Sequence, residues 1–225
     1  MRARNSILMA AMALALTAGW PGMSARAESV VRYGISMADI PLTTGQPDRG
    51  AGAYQFTAYT IYDPLVAWEM DVADRPGKLV PGLATEWKVD DADKTKWVFK
   101  LRPGVSFHDG SPFNADAVVW NVDKVLKQDA PQYDASQVGV TASRMPTLVS
   151  ARKIDDMTVE LTTKEPDSFL PINLTNLFMA SPAKWQQFYD KAEGADAKAK
   201  SQAAWAAFRS EERRVGKECR SRWSP

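Results

Sequence analysis

The chain has very little of what several function classes require. Of its 225 residues, one is cysteine and one is histidine. A single thiol forms no internal disulfide, and one thiol with one imidazole builds neither a four-thiolate nor a multi-histidine metal site. Net charge is nearly absent too: 28 Lys and Arg against 27 Asp and Glu leave +1. That balance gives no general grip on nucleic acid. No phosphate-binding loop, dinucleotide-binding glycine pattern or nucleophile elbow occurs. The apolar run from Ile7 to Ala18 is too short for a membrane span. Its residues make about 18 Å of helix against a bilayer core of about 30 Å. What is present is globular material, 45% hydrophobic and 10% aromatic, too apolar for a disordered chain.

The two ends differ from the middle. Arg2 and Arg4 precede the apolar run, Pro21-Gly22 breaks it, and Ala25-Arg26-Ala27 supplies a small-x-small cleavage site before Glu28. Residues 1–27 therefore read as a cleaved export signal, and the mature protein is expected in the periplasm. At the other end, residues 209–225 carry six basic residues, three acidic ones and Cys219 without apolar periodicity. They read as a non-native or disordered tail, Ser210 to Pro225 resembling translated adapter sequence; a basic interaction tail is the other reading. Setting both ends aside leaves 19 basic and 24 acidic residues in 28–208, a net charge of −5. This middle is expected to be one mildly acidic domain, not membrane-spanning after cleavage.

Within the domain the pattern is α+β. Ser29 to Ile35 reads as a first strand. Ser36 to Gly52 is a long turn-rich segment, and Ala53 to Tyr62 a helix that stops at Asp63-Pro64. Thr85 to Val89 and Thr95 to Arg102 flank an aspartate-rich turn and predict a hairpin. In its second arm Trp97, Phe99 and Leu101 share one face, while Lys96, Lys100 and Arg102, with Val98 among them, share the other. Asn114 is a helix cap with Asp116 in the first turn, and the apolar residues from Ala115 to Leu126 recur at helical spacing. Leu148 to Lys153 and Thr158 to Leu161 predict a second hairpin turning at Asp155-Asp156. Pro166 to Leu170 is expected to be a short helix, Leu177 to Ala180 a strand, and Ser181-Pro182 the start of another helix. Residues 191–204 read as a solvated helix or excursion.

No catalytic set emerges, and no cofactor or metal is implied. His108 and Asp109 are neighbours in turn material, where adjacent side chains point apart. Asp90, Asp91 and Asp93 would need glycine at the sixth and glutamate at the twelfth position for a calcium loop. Thr95 and Leu101 stand there instead. Trp68, Trp87, Trp97, Trp120, Trp185 and Trp205 suit core packing as well as ligand stacking.

Three motifs in fixed order are more specific. Tyr62-Asp63-Pro64-Leu65-Val66 comes first, then Leu79 through Trp87 (LVPGLATEW), then Trp97 through Val118 (WVFKLRPGVSFHDGSPFNADAV). This order resembles the family 5 extracellular solute-binding proteins, which include the dipeptide- and oligopeptide-binding proteins of ABC importers. The resemblance runs from about Val30 to about Ala183. It implies the first lobe, with its extra subdomain, of a two-lobed periplasmic-binding-protein-like fold. It also implies a non-enzymatic monomer that captures peptides or similar small solutes and delivers them to an ABC permease. A periplasmic enzyme or chaperone-like protein is the alternative. Ligand contacts are expected from the long segment after the first strand: Thr44, Gly45, Gln46, Pro47 and Asp48. Relatives in the family are usually more than twice as long, and a Gly-Thr-Gly-Pro type turn near Ser181 is missing. The chain is therefore expected to be truncated before the second lobe, and to bind solute weakly or not at all.

Overall fold

Alternation of apolar and polar side chains decides the central sheet. The computed structural model describes residues 59, 62–134 and 142–215, with side chains through 208. Strands β3 (Ala84–Val89), β4 (Lys96–Leu101), β5 (Leu148–Asp155) and β6 (Thr158–Thr163) form one antiparallel sheet in the order β3-β4-β6-β5. In β4, Phe99 and Leu101 are buried and Trp97 packs partly buried on the same core, while Lys100 is exposed. Burying each large apolar side chain stabilises the fold by roughly 1.5–3 kcal/mol. Both expected hairpins are present, and β4 and β6 bring them together with Phe99 opposite Val159.

The turn chemistry is local. Asp90 Oδ1 accepts from the amides of Ala92 and Asp93, and Asp93 Oδ1 accepts from the Thr95 amide and hydroxyl. These aspartates spend their oxygens on their own backbone, as a hairpin turn requires.

A smaller pair, β1 (Val66–Trp68) and β2 (Leu79–Pro81), precedes the sheet. Gly82 follows β2 where the chain folds back on Pro64 and Leu65. A Cβ at Gly82 would lie 2.5 Å from the Pro64 carbonyl oxygen, so only glycine fits.

Helix α1 (Ala115–Leu126) begins as its sequence predicts, with the Asn114 side chain accepting from the Ala117 amide. It packs on β5 and β6 through one face, where Val118, Val122 and Val125 are buried. A second face is also covered: Asn121 and Lys124 are 0% and 2% exposed, beside partly buried Trp120. Amphipathic patterning does not anticipate a helix buried on two sides.

Three expectations are corrected beyond the sheet. Pro166 starts no helix; α2 spans Leu170–Asn173 and continues as a 3-10 turn, Leu174–Asn176. Asp167 instead receives the Thr147 hydroxyl and the Phe169 amide, which fixes the loop before α2. Leu177 to Ala180 is no strand. Only Phe178 makes a bridge, to Pro64; Leu177 N–H turns back to Leu174, Met179 N–H goes to Asp63, and the Ala180 backbone pairs with Asn121 of α1. Of the solvated helix or excursion expected over 191–204, a helix is present, α4 (Ala197–Val215), but it is not solvated all round: it buries Ser201, Ala204, Trp205 and Phe208. That helix runs without a break past residue 208. Helix α3 (Pro182–Lys191) starts at Ser181 and Pro182 as predicted.

Two hydrophobic clusters result. The larger joins the sheet, α1, α2 and the 3-10 turn. The smaller collects Trp120, Trp185, Phe188, Tyr189, Trp205 and Phe208 between α1, α3 and α4. Among the described residues, no helix is long and apolar enough to cross a membrane.

Candidate functional site

The residues expected to contact ligand, Thr44, Gly45, Gln46, Pro47 and Asp48, lie outside the described residues, as do the first strand, the export signal and residues 216–225. Of the helix expected over 53–62, the structure describes Tyr59 and Tyr62, and Tyr59 has helical backbone. Among the described residues, a candidate site forms at a junction of two chain segments.

That junction forms where residues 62–65 cross residues 176–181. Pro64 bridges Phe178, and the Met179 amide donates to the Asp63 carbonyl at 3.1 Å. On one side of the crossing stands an aromatic wall. The Tyr59 ring meets Phe178 edge-on at 5.4 Å, and Tyr62 lies 6.5 Å from the same ring. Edge-to-face geometry of this kind rigidifies the wall beyond its buried area.

Polar groups adjoin the wall. Arg144 donates through Nη1 to Asn176 Oδ1 at 2.7 Å. Asn176 Nδ2 in turn reaches the Asn173 carbonyl and the Thr175 hydroxyl, which itself donates to the Ile172 carbonyl. Burial pushes the Tyr59 phenol up, against the opposing pull of the Arg144 charge and a hydrogen bond with Thr175. At neutral pH the phenol is therefore protonated. A guanidinium, a phenol and a carboxamide beside aromatic faces suit a small solute with carbonyl or carboxylate oxygens and an apolar part. Sequence reasoning missed Arg144 and Asn176, which lie 32 residues apart in segments without a motif. The aromatic richness of 53–62 was the one visible signal.

The His108-Asp109 pair is no acid–base couple. Asp109 Oδ1 accepts from the Ser111 amide and hydroxyl, and Oδ2 accepts from the Ser181 hydroxyl at 2.6 Å. Burial pushes the Asp109 carboxyl up, but the bonds from Ser111 and Ser181, with the Lys184 charge, outweigh it and hold the group below the usual aspartate range. Gly110 allows the turn through its φ of 82°. Ser181 also accepts from the Lys184 amide, so this network is the cap of α3. Among the described residues no cluster of three or more His, Cys, Asp or Glu could hold a metal. Five of the described tryptophans pack on protein: Trp87 and Trp97 on the sheet core, Trp120, Trp185 and Trp205 on one another.

The profile described as "Bacterial extracellular solute-binding proteins, family 5 Middle" matches residues 78–213. The chain is 33% identical over 131 residues to the di/tripeptide-binding protein 4 of Pseudomonas aeruginosa, covering 53% of this chain and 23% of that protein. It is 32% identical over 138 residues to a glutathione-binding protein of Pectobacterium atrosepticum, covering 60% and 24%. The chain thus spans about a quarter of the length of the curated relatives it matches. In fold it is similar to a dipeptide binding protein from Pseudoalteromonas sp. SM9913 solved in complex with Met-Leu. The TM-score is 0.56 and the identity 18%, over 68% of this chain and 32% of that one. HbpA2 from Haemophilus parasuis gives 0.54 at 24%, over 68% and 32%. With the profile matching more than half of its residues, the chain belongs to the family 5 bacterial extracellular solute-binding proteins.

Proposed function

We propose that the chain is the solute-capturing component of an ABC-type importer. It takes up peptides or similar small solutes outside the cytoplasm and passes them to a membrane permease, without transforming them. Family membership across residues 78–213 carries this reading. The names of relatives support the ligand class, since they include di/tripeptide- and glutathione-binding proteins. In this reading residues 1–27 are a removed export signal and residues 28–208 form the first lobe with its subdomain. Thr44 to Asp48 join Tyr59, Arg144 and Asn176 in facing the solute. The aromatic wall serves the apolar part of the solute, and the Arg144–Asn176 pair its oxygens.

The test is calorimetric titration of a panel of di- and tripeptides and glutathione into the protein expressed from its complete reading frame. Mass spectrometry of the recovered solute accompanies it. Saturable binding with unchanged solute is the expected result. Hydrolysis of a peptide, or no binding across the panel, overturns the proposal. Amino-terminal sequencing of the exported protein checks the signal, with Glu28 as the expected first residue.

A further inference from the structure

Residues 177–181 have an unusual hydrogen-bond economy. A short connector inside a protein normally satisfies its backbone through sheet or helix ladders. Here several polar groups go to different elements. Leu177 N–H donates to Leu174, Met179 N–H to Asp63, and the Phe178 carbonyl accepts from Lys124 Nζ at 3.4 Å. The Ser181 hydroxyl donates to Asp109 and caps α3.

The centre of this strap is held by one side chain. Asn121 Oδ1 accepts from the Ala180 amide at 2.9 Å, and Nδ2 donates to the Ala180 carbonyl at 2.9 Å. The same Nδ2 donates to the Ala117 carbonyl at 2.9 Å. The carboxamide thus pairs with one residue's backbone as a neighbouring strand would. It is fully buried, so a lost bond leaves a buried polar group unsatisfied. Asn176 and Phe178 lie just before this clamp, and the cap of α3 lies just after it.

We infer that Asn121 is a positioning residue: its clamp on Ala180 sets the register of the 176–181 strap, and so holds Phe178 and Asn176 in place against Tyr59 and Arg144. Its role for solute rests on the function proposed above. Its role in the strap does not, and the two are separable by experiment.

The first arm is amide hydrogen exchange on the full chain, read as protection factors at Met179, Ala180 and Lys184, with Phe99 and Leu161 as sheet references. Asn121→Leu removes all three bonds. Asn121→Asp replaces the donating amide with a carboxylate facing two carbonyl oxygens. At pH 7 both variants are expected to lose about tenfold or more protection at Met179 and Ala180, with the sheet unchanged. The introduced carboxyl is buried and faces carbonyls, so its protonation is favoured. Protonated, it regains a donor. Protection in Asn121→Asp should therefore recover toward the wild-type value at about pH 4.5, whereas Asn121→Leu stays low. The charged groups around the strap are Lys124 from α1, Arg144 on Asn176, Asp63 before β1, Asp109 in the turn, Asp134 beside Lys124 and Lys184 on α3. Wild-type protein at the same pH carries all of them and is the reference.

Unchanged protection at Ala180 in both variants overturns the inference. So does loss of strap and sheet together, or the absence of acid recovery in Asn121→Asp. The second arm is titration of the dipeptide Met-Leu. Wild-type protein that binds should lose several-fold affinity on Asn121→Asp at pH 7 and regain it in acid; unaltered affinity overturns the positioning role. Wild-type protein expressed from its complete reading frame that does not bind counts against the proposed function and leaves the exchange result to decide the strap.

Discussion

The two hydrophobic clusters are built on different principles. The sheet cluster is mostly aliphatic and is closed by strands whose backbones hydrogen-bond one another, with Phe99, Val159 and Leu161 fully buried at its centre. The helical cluster is mostly aromatic. Trp185 stacks on Tyr189 at 4.8 Å, and Trp120, Trp205 and Phe208 meet at tilted or edge-on angles. Its neighbours include a buried cation, Lys124, whose ammonium lies 5.8 Å from the Trp205 ring. The difference shows that one helix can serve two kinds of core. Helix α1 offers valines to the sheet, and Trp120 and Lys124 to the helices.

The comparison can be broken most severely from the sheet side. Phe99→Ala should cost about 3–5 kcal/mol and lower stability globally, because the cavity sits among paired strands that cannot close over it. Chemical denaturation measures this, and retained cooperativity with a lower midpoint is expected. Trp205→Ala should act differently. It also empties a large buried volume, but α3 and α4 carry no ladder to the sheet, so the loss should be local. Hydrogen exchange should speed up in α3 and α4 while β4 and β6 stay protected.

A smaller effect sharpens the boundary between the regions. Ser181→Ala removes the cap of α3 and should cost about 1 kcal/mol. It also changes the pH response. The Asp109 carboxyl sits below its ordinary value of 3.8 in the folded protein. Its contribution is therefore present above the unfolded value and is lost as pH falls below about 4. Thermal melts from pH 7 to 3 should show a shallower acid loss in Ser181→Ala than in wild type. The least effect belongs to the exposed cross-strand pair in which Arg152 Nη2 lies 3.0 Å from Glu160 Oε2. Arg152→Ala should change stability by about 0.2–1 kcal/mol, and less in high salt.

What was legible in the sequence follows the same division. The hairpins, the Asn114 cap and the α3 start all rest on local signals: period-2 alternation, turn aspartates, a capping side chain. Those signals act over a few residues and survive folding unchanged. Residues 177–180 misled because Leu177, Phe178, Met179 and Ala180 are all buried apolar residues, as a core strand would be. Their partners are a helix side chain and a crossing segment, and neither is visible from composition. Residues 191–204 misled in the opposite direction. Their alanines and lysines look solvated, yet Ser201 and Ala204 are buried on the face that continues into Trp205 and Phe208. In the candidate site, the Arg144–Asn176 pair exists only through tertiary contact.

The bond between Ser181 and Asp109 spans 72 residues. Most helix caps form within their own segment and can assist the earliest stages of folding. This one cannot reach its final geometry until the turn at Asp109 and the strap have been brought together, across the α1 helix and the β5–β6 hairpin that lie between them in the chain. Helix α3 is then a late arrival. On refolding, tryptophan signals from Trp185 should mature after the sheet has formed, since loop closure of that length precedes its reward.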